Sequence, residues 1–172
     1  WHTHHPTEEN RWPFVWLYSE RGSKGSRTSW INQVHAYNDL PADMKEKVNG
    51  MTVACGHKIG NFSPSEIFKD NIIYDNPQKI VRTNIENLTG LYFPFLQIFD
   101  IVEGATKEEW PELFEYLKNH ILQEKYIMHH DWEDGDLVIS EQWLSIHKRW
   151  TFADMKTRVL HRIALDYEHS YA

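Results

Sequence analysis

The chain has 172 residues, 14% of them aromatic, and a formal charge of −7. That length holds one domain with a substantial core, and so much aromatic surface excludes a disordered chain. The acidic balance argues against nucleic acid and anionic membranes as partners, and no apolar run approaches the roughly 20 residues of a membrane span. A single cysteine, Cys55, excludes an internal disulfide. With no secretory signal in view, the expected setting is the cytoplasm.

In chain order, Trp12 to Tyr18 is aromatic and β-branched and reads as a strand. A Gly- and Ser-rich turn follows from Glu20 to Arg27. Ser29 to Leu40 reads as a helix, with Trp30, Val34 and Tyr37 on one face, ended by Pro41. A short amphipathic piece runs from Ala42 to Val48, Gly50 stops it, and Met51 to Cys55 reads as a strand. Residues 60–90 are rich in Asn, Asp, Ser and Pro and read either as a lid or insert loop or as an unremarkable connection. Leu91 to Ile98 reads as a strand with an edge or bulge at Pro94. Thr106 and Glu109 form a capping box that opens a helix to about His120, with Leu113, Leu117 and Ile121 on one face. Lys125 to Met128, Asp136 to Ile139 and Arg158 to Tyr167 read as strands, with a turn at Glu133-Asp134-Gly135. Several short strands and few helices point to a mainly β barrel or jelly roll with helices outside it.

Eleven histidines are many for this length. His2 and His4 lie two apart, so on a strand they share a face and can address one metal. A third ligand from a distant strand, His147, closes a facial set that leaves positions open for dioxygen and an organic ligand, as in non-haem iron sites. A solvated terminus or packed core histidines compete with that reading of the residues alone.

The late segment runs Asp131-Trp132-Glu133-Asp134-Gly135-Asp136, then an apolar strand, then Gln142 to His147. Arg158 follows His147 by eleven residues. Trp1-His2-Thr3 stands at the start, and Gly25-Ser26-Arg27-Thr28-Ser29-Trp30 a little later. Val81 to Asn84 and Gly90 to Phe93 add two more matching stretches. In this order the segments resemble the taurine dioxygenase-like (TauD/TfdA) family of non-haem iron(II)- and 2-oxoglutarate-dependent oxygenases, over nearly the whole chain. The resemblance implies a double-stranded β-helix (a cupin-like jelly roll) with a few flanking helices, spanning 1–172 as a single oxygenase core. Upstream N-terminal strands are expected before Trp1, because a metal ligand is poorly placed on a frayed terminus.

By the same resemblance, His2 and His147 hold iron, while Arg158 and Thr28 hold the distal carboxylate of 2-oxoglutarate. Arg162 grips an anionic group of the substrate. His129, His130 and Trp143 read either as further substrate contacts lining the pocket or as core or rim packing. Dioxygen and a small, anionic or amino-acid-like molecule are the implied partners, and homo-oligomerisation stays open. The implied reaction couples decarboxylation of 2-oxoglutarate to succinate with oxidation of a substrate C–H bond: hydroxylation, desaturation or a related radical outcome. His4 stands where the family has a carboxylate. Either His4 binds iron in a three-histidine site, or Glu8 or Glu9 takes its place, or an anion does, or the site is altered and turns over weakly or not at all. Two other functions follow from those readings: a relative that binds metal or 2-oxoglutarate without turnover, and a three-histidine iron dioxygenase that uses no 2-oxoglutarate.

Overall fold

The structure, a computed structural model, describes residues 1–3, 13–22, 25–58, 72–74, 77–152 and 157–165. The elements run β1 (Phe14–Arg21), β2 (Arg27–Asn32), α1 (Gln33–Asn38), α2 (Ala42–Asn49), β3 (Thr52–Lys58), β4 (Ile72–Tyr74), β5 (Gln78–Lys79), β6 (Val81–Thr83), β7 (Thr89–Leu91), β8 (Ile98–Glu103), α3 (Trp110–Ile121), a 3-10 turn at Glu124–Tyr126, β9 (Ile127–Asp131), β10 (Leu137–Glu141), β11 (Ser145–Arg149) and β12 (Val159–Leu165). Two antiparallel sheets carry the fold, in the orders β10-β1-β12 and β11-β2-β9. The chain passes between them from β1 to β2, from β9 to β10, then to β11 and β12, which is the winding of a double-stranded β-helix. His2 extends the second sheet beyond β11. Its amide donates to the His147 carbonyl and the His147 amide donates back, each at 2.9 Å.

Neighbouring strands β2 and β9 are adjacent in space but separated in sequence by residues 33–126, which among the described residues hold α1 to α3 and the smaller sheets. This excursion supplies most of the hydrophobic core. Ile31 and Ile146, alternate residues on β2 and β11, point away from the barrel interior and are fully buried. They join a cluster with Val48, Met51, Phe93, Leu117 and Ile121. The largest apolar mass therefore lies behind one sheet rather than between the two.

The capping box forms, but one turn ahead of α3, which begins at Trp110 next to Pro111. The Thr106 hydroxyl accepts from the Glu109 amide at 3.1 Å, and the Glu109 carboxylate accepts from the Thr106 amide at 2.9 Å. Leu117 and Ile121 are buried, as their spacing requires. Two expectations need correction. Residues 29–32 are strand, not helix: β2 is hydrogen-bonded on both sides, and helix begins only after Asn32, whose side chain accepts from the His35 amide. Central pairing outweighs a helical spacing that Trp30 shares with Val34 by coincidence. Likewise the strand expected over Leu91 to Ile98 stops at Leu91. Tyr92 and Phe93 are buried without strand pairing, the Pro94 carbonyl accepts from the Gln97 amide at 2.7 Å in a turn, and β8 starts at Ile98. Within 60–90, the described part holds β4 to β7 rather than bare loop. Among the described residues, no helix is long and apolar enough to cross a membrane.

Candidate active site

Strand register assembles the site. On β2 and β11, Trp30 faces His147 and Thr28 faces Arg149. Directly opposed residues share a face, so these four project to the barrel interior. A cavity of about 640 Å³ opens there between the sheets. His2, Thr28, His147 and Arg149 line one side, and Leu17, Arg158 and Arg162 line the other. No aspartate or glutamate lines it among the described residues. The interior is thus cationic although the chain as a whole is acidic.

The imidazoles of His2 and His147 stand 4.3 Å apart, centroid to centroid, at 56°. His147 is buried. Burial also pushes the His2 pKa below its ordinary 6.5, with the Arg149 charge adding to the effect. The shift favours the neutral imidazole, the form that donates a lone pair to a metal. Two imidazoles converging on one cavity fit two positions of a metal's ligand set. Expected ligand His4 lies outside the described residues, as do Glu8 and Glu9. No group of three potential protein ligands forms among the residues that are described.

Gln97 was not anticipated from sequence. Its side chain accepts from the Thr3 amide at 2.8 Å and donates to the Thr3 carbonyl at 3.0 Å. Thr3 also donates its hydroxyl to the Gln142 carbonyl at 3.3 Å. His2 is thereby held between β11 and a turn of the excursion. Nothing local in the sequence marks a residue that acts across such a separation.

Arg158 precedes β12 and lines the cavity, half-buried, donating to the Ser26 hydroxyl at 3.0 Å and lying 5.2 Å from the Phe152 ring centroid. Burial lowers its pKa from the usual arginine value, and the Arg149 charge contributes. Thr28 is buried, and its hydroxyl oxygen accepts from the Trp132 indole at 2.9 Å. The hydroxyl proton of Thr28 then has the cavity to donate into. Trp132 stands where it does because of Gly22: a Cβ on that residue would meet the Trp132 carbonyl oxygen at 2.5 Å. Arg162 is exposed at the cavity wall, across the sheet from Leu17.

Two expected substrate contacts are not brought to this cavity. His129 lies on β9 with its side chain on the opposite face of the sheet, 2.5 Å from the Ser29 hydroxyl and 2.8 Å from the Glu124 carboxylate. Trp143 sits in the bend between β10 and β11 and does not line the cavity. Arg149 was missed, although its spacing of two from His147 on a strand was the available signal.

The model of the taurine catabolism dioxygenase TauD, TfdA family matches residues 1–164. No curated protein matches the sequence. Among solved structures, AAD-2 in complex with Mn(II) and N-oxalylglycine superposes with a TM-score of 0.77 at 19% identity, over 96% of this chain and 67% of that one. A taurine dioxygenase from Burkholderia xenovorans superposes with a TM-score of 0.79 at 24% identity, over 96% of this chain and 56% of its own length. This chain thus spans only 56% of one relative and 67% of the other. At such identities the likeness establishes the mainly β, double-stranded β-helix fold, and the family match establishes kinship: the chain belongs to the TauD/TfdA dioxygenase family.

Proposed function

We propose that the chain is the core of an iron(II)- and 2-oxoglutarate-dependent oxygenase that oxidises a C–H bond of a small, anionic or amino-acid-like substrate. One observation carries this reading: a single cavity holds two converging imidazoles together with Arg158 and Thr28, and no acidic side chain lines it among the described residues. His2 and His147 would hold the iron. Bound iron(II) with open positions supplies the dioxygen and one-electron chemistry that side chains lack. Arg158 offers a planar fork to the distal carboxylate of 2-oxoglutarate, and Thr28 donates its hydroxyl to the same group. Trp132 fixes the rotamer from which it does so. Arg162, nearer solvent, receives an anionic group of the substrate. A relative of this fold binds Mn(II) and N-oxalylglycine, which carries two carboxylates as 2-oxoglutarate does.

Histidine at position 4 favours one refinement, a three-histidine ligand set. On a strand His4 would share the face of His2. Replacing a carboxylate by imidazole raises the charge of the site by one unit.

The test is succinate formation from 2-oxoglutarate. It is expected to depend on added iron(II) and to be lost in Arg158→Ala. Wild-type turnover in that variant would falsify the assigned cosubstrate site.

A further inference from the structure

The cavity holds more positive charge than one carboxylate and one substrate anion account for. Arg149 follows His147 by two residues on β11 and so turns to the same inner face. It stands directly across from Thr28, at a separation of about 5 Å between Cβ atoms for such pairs. Arg149 and Arg158 both line the cavity, and the Arg158 pKa is lowered first by burial and then by the charge of Arg149. Lys148 also lines the cavity, but its ammonium stacks on the Trp150 ring, 3.7 Å from the ring centre, on the side of β11 away from Thr28 and His147. Two guanidiniums facing one space with no carboxylate on its walls repel each other unless an anion comes between them.

We propose that Arg149 and Arg158, with Thr28, grip one carboxylate together, so that the distal end of the cosubstrate is held by a two-arginine clamp. The inference rests on the reading of this cavity as a 2-oxoglutarate site and adds a binding residue to it. It makes the site selective for a dicarboxylate. A 2-oxo acid lacking the second carboxylate gains nothing from the clamp.

Isothermal titration of the Mn(II)-loaded protein tests this with two probes. N-oxalylglycine has both the chelating end and the distal carboxylate, and pyruvate has only the chelating end. Arg149→Gln is expected to weaken N-oxalylglycine about tenfold or more while leaving pyruvate unchanged, as loss of a charged hydrogen bond requires. Arg149→Lys is expected to recover part of the loss, and the wild type to show a steeper salt dependence than Arg149→Gln. Circular dichroism checks that each variant is folded. If Arg149→Gln binds N-oxalylglycine like wild type while Arg158→Gln does not, the clamp is wrong and the cosubstrate site stands. If neither variant is affected, the cosubstrate reading itself fails and takes the clamp with it. Equal loss of both probes in folded Arg149→Gln places the residue at the metal end and also overturns the proposal.

Discussion

The two sheets of the barrel differ most on their outer faces. Behind β11-β2-β9, Ile31 and Ile146 are 0% exposed against the helical excursion. Behind β10-β1-β12, Leu137, Ile139 and Ile163 are 52%, 53% and 54% exposed, and Tyr18 45%. A row Ile139–Trp16–Ile163 crosses that second sheet in register. The sheet packed on both faces is the one that carries His147, Thr28 and Arg149 and that receives His2. The other sheet provides walls and Arg162. On the function proposed above, the residues that would hold ligands sit on the element whose rotamers and register are fixed by packing.

Substitutions can break or sharpen this contrast. The largest effect is expected at Ile146→Ala, beside His147, at about 2–5 kcal/mol of destabilisation in urea titration, from lost transfer energy and a cavity. A cost below 1 kcal/mol would mean that the packed face is not what stabilises the site. Next is Gly22→Ala. Its Cβ would press on the Trp132 carbonyl oxygen at 2.5 Å, so backbone must shift, at roughly 1–3 kcal/mol. Because Trp132 holds Thr28, affinity for N-oxalylglycine should fall as well; unchanged affinity would break that link.

A smaller effect concerns the brace behind β9. Asp39, at the end of α1, accepts from Lys125 at 2.6 Å and from the Tyr126 hydroxyl at 2.9 Å, and the Lys125 contact first holds its carboxyl below the ordinary 3.8. The unfolded carboxylate takes up its proton first as pH falls. The brace therefore contributes stability above about 3.8 and loses it as pH drops further through the folded value. Asp39→Asn should flatten the acid limb of a stability–pH profile there, and an unchanged limb would remove the brace from the account. The smallest effect belongs to the open face. Ile163→Thr is expected to shift stability by no more than about 0.5 kcal/mol, and a large loss would show that this face is covered in the working protein.

That His2, Thr28, His147, Arg158 and Arg162 line one cavity was legible in part, because some of it depends on local spacing. His147 and Arg158 are separated by a fixed stretch, and the Thr106–Glu109 box announced α3. Arg149 was equally legible by period two. His129 was misdirected because alternation sends it to the opposite face from His130, and only the register decides which face is inside. Gln97 and Trp132 were not legible: each acts across a long separation on a residue that no local pattern ties to it.

The sequence by itself determined that short strands outnumber helices, that a capping box precedes α3, and which residue types are present for metal and carboxylate chemistry. Such features rest on local propensity, capping and alternation, which need no distant partner. Tertiary structure decided that residues 29–32 are strand, that His2 and His147 share a bridge, and that three arginines face one cavity. Those outcomes come from hydrogen-bond register between strands far apart in the chain. A single residue of slip there would turn each of those side chains to the other face.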